Sequence, residues 1–139
     1  MSAHPFILLS ICCVTACSLL AADDSPVDFV KQIKPILAER CVECHNSESL
    51  AGNLNLQNRA LAMKERKEGA AIVPKEPEKS LLYLALLRPP ADKKVMPALS
   101  HKIPEKDIAT IRRWILEGAA WPDGDAGAIH PRQKKRGDV

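Results

Sequence analysis

The stretch that decides the fold is Cys41-Val42-Glu43-Cys44-His45, two cysteines three positions apart with a histidine directly after them. Residues three apart on a helical turn lie on the same side, so both thiols can add to the vinyl groups of one porphyrin. The next residue then presents its imidazole to the iron from that side. This spacing is typical of c-type haem attachment. It predicts one covalent haem c, held through Cys41 and Cys44, with His45 as an axial ligand of the haem iron.

The same cysteine pair has other interpretations. A thioredoxin-like redox pair expects a neighbouring strand and a βαβ pattern, and this sequence has neither. A zinc site needs further ligands, and after His45 only His101 and His130 follow, with no second Cys-x-x-Cys pair. A disulfide between Cys41 and Cys44, or a metal site, therefore stands as the alternative to haem.

A haem protein that carries electrons usually fills the sixth position of the iron with a methionine thioether. Met63 lies in a helical stretch, where packing is the ordinary role of a methionine. Met96 lies in Val95-Met96-Pro97, where proline-restricted backbone can hold a side chain toward a flat ligand. We expect Met96 to be the sixth ligand, with His101 as the alternative.

The amino-terminal segment has the pattern of an export signal. No charged residue occurs between Phe6 and Ala22, and Ala21-Ala22 before an acidic pair is a suitable cleavage point. The apolar run is too short to span a bilayer comfortably. Residues 1–22 are therefore predicted to be a signal peptide of an exported, periplasmic protein. In the alternative, a lipobox-like segment ending at Cys17 makes residues 1–16 a lipoprotein signal, and acylated Cys17 attaches the protein to the membrane.

Length and charge set the remaining boundaries. The 139 residues fit one domain, which we place at residues 23–124. Only 4% of the residues are aromatic, so a porphyrin would supply apolar bulk that the side chains lack. The net charge of +3 equals the surplus in Pro131–Val139, which has four basic residues and one acid. Residues 125–139 are expected to be a basic, disordered tail. The even charge elsewhere argues against nucleic acid as a partner.

Apolar periodicity predicts an all-α chain with about four short helices. Ser25-Pro26-Val27-Asp28 is a helix-start pattern with a hydroxyl cap, and Pro35 is expected to cause a kink or to separate two abutting helices, the second beginning near Lys34. The buried stripe of this region is predicted to contain residues at three- and four-residue steps, namely Val27, Val30, Ile33, Leu37, Cys41 and Cys44.

Three later helices are predicted over about residues 58–68, 77–87 and 104–117, because each stretch ends at a glycine or a proline. Leu54 and Leu56 alternate with polar residues, which favours a short extended loop over a sheet.

Further segments accompany the haem motif: Phe29–Leu37, Gly52–Leu56, Ala71–Pro74, Val95–Pro97, Arg113–Ile115 and Trp121-Pro122. Together they make Val27–Pro122 resemble the planctomycete-type cytochrome c domain. The resemblance implies a small class I cytochrome c-like fold whose helices wrap around one covalently bound haem.

The function expected from these residues is that of an exported monohaem c-type cytochrome. With His45 and Met96 on the iron, it would carry single electrons between redox protein partners. We expect it not to be an enzyme, since the acidic residues are scattered among lysines and form no paired-carboxylate site. Two alternatives remain. An open sixth site would make a haem-based gas or peroxide sensor or a weak peroxidase, and an anchored chain could be a structural module of a periplasmic complex.

Overall fold

The computed structural model describes residues 25–98 and 103–132, and in these residues the chain is helical with no β-strand. The α-helices are α1 (Lys34–Arg40), α2 (Arg59–Ala62), α3 (Leu81–Leu86), α4 (Glu105–Leu116) and α5 (Gly124–Gly127). Shorter helical turns are a π-helical segment at Phe29–Ile33 and 3₁₀ turns at Ala51–Asn53 and Pro77–Lys79. The predicted all-α class is confirmed, with five α-helices in the described residues where about four were expected.

The first helical region begins one turn later than the predicted cap. Asp28, rather than Ser25, is the N-cap, and its carboxylate accepts a hydrogen bond from the Lys31 amide at 3.0 Å. The π-helical turn then ends at Ile33, and α1 begins at Lys34 with Pro35 in its first turn. Amides in the first turn of a helix have no partner within that helix, so a proline there, which has no amide hydrogen, costs the helix no hydrogen bond. The predicted division of this region into two abutting helices is confirmed.

The predicted buried stripe of this region is correct in part. Ile33 and Leu37 are fully buried, but Val30 is 45% exposed and Cys44 is also exposed. The wide π-helical turn and the end of α1 before Cys41 interrupt the regular helical period, so the stripe does not continue as a straight line. Val42 was not among the residues predicted to be buried, but its side chain is fully buried.

Two of the middle helices are shorter than predicted. α2 begins after the Asn58 cap and ends at Ala62, because the following residues 64–68 are all charged and offer no apolar face to bury. The helix predicted over 77–87 is broken at Ser80, whose backbone is extended. The fully buried Ser80 hydroxyl accepts a hydrogen bond from the Val73 amide at 2.8 Å and donates to the Glu76 carbonyl at 3.0 Å.

An aromatic cluster joins the two ends of the fold. Phe29 stacks on Trp121 with ring centroids 4.5 Å apart, and Trp114 of α4 lies 5.9 Å from both rings. The indole nitrogens donate to backbone carbonyls, Trp114 to Ala120 and Trp121 to Gly127, each at 2.8 Å. α4 matches the predicted helix closely and places Ile111 and Ile115 in the core. The first and last helical regions thus share one core.

The packed region continues past residue 124, where the sequence placed the domain end. Gly124–Gly127 form α5, and the Lys34 ammonium donates to the carbonyls of Asp125 and Ala126 at 3.1 Å each. Ile129 is 1% exposed, and its amide donates to the Gln57 carbonyl at 2.7 Å. Residues Trp121–Gly124 have the composition of a turn, which is why the sequence suggested a domain boundary there. The apolar side chain of Ile129 beyond that turn is nevertheless buried in the core.

Several predicted features lie outside the described residues. These are the signal segment 1–22 with its alternative acylation site Cys17, the alternative ligand His101, and most of the basic tail from residue 133 onward. Among the helices that are described, none has the length and apolar character needed to cross a membrane.

Candidate functional site

The haem-motif residues form a tight turn at the carboxyl end of α1. The amides of Cys44 and His45 both donate to the Cys41 carbonyl, at 3.2 and 3.1 Å. Cys41 is itself held to α1 by the bond from its amide to the Leu37 carbonyl at 3.0 Å. The spacing Cys-x-x-Cys-His therefore places both thiols and the imidazole on one compact turn.

The two cysteines of the turn have different surroundings. Both thiols are free, but Cys41 is buried and Cys44 is exposed. Burial raises the pKa of Cys41 to about 12, an effect that the nearby Arg40 only partly opposes, so this thiol is fully protonated at neutral pH. The Cys41–Cys44 disulfide considered from the sequence is absent here.

His45 is a buried imidazole with a fixed orientation. Its Nδ1 donates to the Ala51 carbonyl at 2.9 Å, since a carbonyl can only accept, and in the neutral ring the other nitrogen, Nε2, then carries the lone pair. Burial lowers the pKa of His45, with a smaller contribution from Arg66, while the hydrogen bond to Ala51 opposes the shift. A neutral imidazole with Nδ1 engaged is the form that binds a metal ion through Nε2.

The loop after the motif returns to it and completes this geometry. The Ala51 amide donates to the Cys44 carbonyl at 3.0 Å, and the Leu56 amide donates to the His45 carbonyl at 2.8 Å. These two backbone bonds hold the loop against the motif, and the loop carries the Ala51 carbonyl that orients the His45 imidazole. Leu54 and Leu56 are buried without forming a strand, as the sequence predicted.

Asn46 is a structural residue of the site that the sequence analysis did not identify. Its buried amide nitrogen donates to the carbonyls of Val42 and Glu43 at 2.8 and 2.9 Å. Its amide oxygen accepts from the backbone of Glu48 and Ser49 at 2.8 and 3.0 Å. The sequence does contain a clue to this role, because an asparagine directly follows the motif. Asparagine side chains often form hydrogen bonds with nearby backbone groups in turns.

Met96 lies on a second loop, whose position is set by α3. The Met96 amide donates to the Ala85 carbonyl at 3.2 Å, and its half-buried side chain packs against the core. Asp92 shapes this loop, since its carboxylate accepts from the Lys94 amide and the Arg88 guanidinium, both at 2.7 Å. These contacts, the Lys94 bond first, lower the pKa of Asp92.

The donor set fits a covalent haem. The two thiols lie on one turn, as attachment to two vinyl groups requires, and the buried imidazole of His45 belongs to the same turn. Within residues 25–98 and 103–132, no group of three or more histidine, cysteine or acidic side chains could hold a metal ion. In the described ranges, the structure therefore offers one turn with two thiols and an imidazole that fits porphyrin attachment, and no cluster of histidine, cysteine and acidic side chains that fits a bare metal ion.

Comparison with known proteins agrees with this assignment. Residues 41–98 match the family model described as Planctomycete cytochrome C, which confirms the family expected from the sequence. The matched segment contains Cys41, Cys44, His45 and Met96, whereas His101 lies beyond it. The family implies covalently attached haem c and an electron-transfer rather than a classical enzymatic role. No curated protein and no solved structure matches the chain.

Proposed function

We propose, on the premise that residues 41–98 match the planctomycete cytochrome C family, that this protein is an exported monohaem electron carrier. The observation that carries the proposal is the state of His45. Its imidazole is buried on the same turn as the two thiols, and its Nδ1 donates to the Ala51 carbonyl. That arrangement serves metal ligation and offers little to acid–base catalysis, because burial disfavours the protonated ring.

Each residue of the site has a defined part in this proposal. Cys41 and Cys44 would form the thioethers to the haem, and Nε2 of His45 and the thioether of Met96 would hold its iron. The bound haem supplies an iron that exchanges one electron and a large apolar face for the core. The bonds from Ala51 and Leu56 keep the imidazole in place, so the ligand geometry has little freedom to change when the charge on the iron changes.

The loop geometry supports Met96 as the sixth ligand. The loop is anchored at Ala85 and shaped by Asp92, so the position of Met96 is fixed by the protein rather than by the iron alone. A methionine ligand raises the reduction potential relative to a second histidine. His101 remains the competing ligand in this proposal, and its position lies outside the described residues.

Optical spectroscopy of purified holoprotein tests the axial ligation. We expect a low-spin ferric spectrum with the weak far-red band of iron–methionine bonding. Met96→Ala should remove that band and lower the potential, whereas Met63→Ala, which truncates the other methionine packed on the core, should retain it. Loss of low-spin character in His101→Ala but not in Met96→Ala would transfer the ligand role to His101. A high-spin wild type would overturn the electron-carrier proposal in favour of a sensor or weak peroxidase with an open sixth site.

Export and attachment need a separate test. We propose that residues 1–22 are cleaved as a signal peptide and that the mature protein is periplasmic, with acylation at Cys17 as the alternative. The mass of the mature amino terminus distinguishes these routes. A protein that begins at residue 23 supports cleavage. Membrane retention that is abolished in Cys17→Ser would instead establish an anchored lipoprotein and keep the structural-module role open.

A further inference from the structure

Residues 129–132, which we call the strap, end against the turn that bears the haem motif. Ile129 is 1% exposed, and its amide donates to the Gln57 carbonyl at 2.7 Å. Three residues later, the Arg132 amide donates to the Glu43 carboxylate at 2.6 Å, and the Nε atom of Arg132 lies 3.7 Å from the same oxygen. Because Glu43 stands between the two cysteines of the motif, the strap ends on the motif turn itself.

The strap is also held to the loop that follows the motif. The side-chain oxygen of Gln57 accepts hydrogen bonds from the amide and the hydroxyl of Ser47, at 2.9 and 2.6 Å. Since the carbonyl of Gln57 holds Ile129, this one residue joins the loop to the strap. The point at which the chain leaves the motif turn, after Arg132, is therefore fixed by the fold.

The sequence that follows the strap is strongly basic. Residues 133–139 contain three basic side chains, Lys134, Lys135 and Arg136, and one acidic side chain, Asp138. Four residues of chain span at most about 14 Å, so the backbone of all three basic residues is tethered within that distance of Arg132. The basic segment is thus confined to the neighbourhood of the motif turn by chain length alone.

The described residues around the motif turn supply no positive charge of their own. Glu43 is paired with Arg132, and Glu39 lies 3.3 Å from the guanidinium of Arg40. Glu48 is exposed on the following loop, and no ion pair within the described ranges joins it to a cation. Any net positive charge on this face therefore comes from the segment that follows the strap.

We propose that the strap presents residues 133–136 to an acidic face of a redox partner protein, which docks beside the motif turn. This inference rests on the proposed electron-carrier function and names the class of partner for it. Cys44 is exposed, so the motif turn reaches the protein surface, where a partner can approach it. Opposite charges on the two proteins would speed their encounter and orient the partner toward this turn.

An acidic protein surface fits this segment better than a lipid surface does. Segments that lie on a bilayer usually combine basic residues with apolar side chains that insert between the lipids. Residues 132–138 contain no aliphatic or aromatic side chain, so charge is the contact that they offer. Charge pairing without insertion is the ordinary way in which rim residues of a transient protein interface act.

Binding of poly-L-glutamate to the holoprotein tests the location of this surface. Backbone amide shifts, measured by nuclear magnetic resonance in the ferrous state, should change at residues 41–48 and at the strap. Replacing the three basic residues 134–136 by glutamine should weaken binding about tenfold at low ionic strength. The control replaces three exposed lysines of other elements by glutamine, namely Lys31, Lys75 and Lys79. Equal weakening in the two variants would show that only net charge matters and would overturn the proposal.

A spacer variant tests the placement of the segment at constant charge. Ten alternating glycine and serine residues between Arg132 and Gln133 have a root-mean-square length of about 17 Å, roughly twice the Debye length at physiological salt. We expect slower oxidation of the ferrous protein by ferricyanide, an anion, and faster oxidation by tris(phenanthroline)cobalt(III), a cation. Each reagent takes one electron from the iron. Unchanged rates with both oxidants would show that the strap does not place the charge.

Vesicles of phosphatidylcholine and phosphatidylglycerol test the competing membrane surface. Holoprotein that binds these vesicles but not poly-L-glutamate would assign the basic segment to lipid and refute docking of a protein. A sample without covalent haem would refute the proposed function and this inference with it. A haem-loaded protein that binds poly-L-glutamate away from the motif turn would refute this inference alone.

Discussion

The Nδ1 atom of His45 donates a hydrogen bond of 2.9 Å to the carbonyl oxygen of Ala51, six residues further along the chain. The loop between these two residues is closed by the bond from the Ala51 amide to the Cys44 carbonyl. The orientation of the imidazole is thus set by backbone groups that no side-chain substitution removes. Disrupting it requires a change to the residues that shape the loop.

Asn46 is the side chain that most directly shapes this loop. Asn46→Ala removes four hydrogen bonds and leaves buried backbone groups unpaired, so we expect a loss of about 1–3 kcal/mol in the free energy of unfolding and less haem bound per protein. Denaturant titration and the ratio of haem to protein absorbance measure the two effects. Asn53→Ala, which removes one exposed bond to Glu68, is the matched control. Equal effects of the two substitutions would contradict the assigned role of Asn46.

The two attachment cysteines should not be equivalent. Cys41→Ser places a hydroxyl in a buried position, at a cost of about 1–3 kcal/mol if it finds no partner, whereas Cys44→Ser alters an exposed position. Each variant should retain haem through one thioether, with one unsaturated vinyl group seen in the haemochrome spectrum. We expect Cys41→Ser to have the lower Tm. A lower Tm for Cys44→Ser would show that burial of Cys41 does not govern stability.

Gly127 has no room for a side chain. A Cβ atom there would lie 1.7 Å from the Pro122 carbonyl oxygen and 2.9 Å from Cδ1 of Trp121. Gly127→Ala must therefore displace α5 and weaken the bond from Trp121 to the Gly127 carbonyl, so we expect a loss of about 1–3 kcal/mol. Ala126→Ser enlarges an exposed residue of the same helix and should change little. Tryptophan fluorescence during urea unfolding reports both variants, and a neutral Gly127→Ala would refute the close packing.

The stacking of Phe29 on Trp121 should contribute beyond its buried area. Phe29→Leu keeps an apolar side chain but removes the ring, so we expect a loss of about 1–2 kcal/mol in the free energy of unfolding. Val30→Ala, at the exposed neighbouring position, is the control. Thermal unfolding followed by near-ultraviolet circular dichroism measures the difference. Unchanged stability in Phe29→Leu would show that the cluster is not what joins the two ends of the fold.

The sequence was most informative where chemistry restricts the residue types. Cys-x-x-Cys-His predicted that both thiols and the imidazole share one turn, and Pro35 predicted where one helix gives way to the next, because each pattern has a local physical cause. Helix α4 was predicted closely, since its apolar face repeats over three turns.

Features that depend on distant contacts were not predicted. The helix after Asn58 stops at Ala62 because the charged residues 64–68 find no surface to pack on. Ser80 breaks its helix because its buried hydroxyl bonds to the Val73 backbone. The burial of Ile129 depends on the Gln57 carbonyl, far away in the chain. No local pattern in the sequence encodes such pairings.

The central claim is that Cys41 and Cys44 hold a haem covalently. Intact-mass analysis together with a pyridine haemochrome spectrum of protein matured in a host with c-type haem attachment tests it most directly. The account predicts a mass equal to the mature polypeptide plus one haem, and a spectrum with both vinyl groups saturated. A colourless protein with the mass of the polypeptide alone would contradict it.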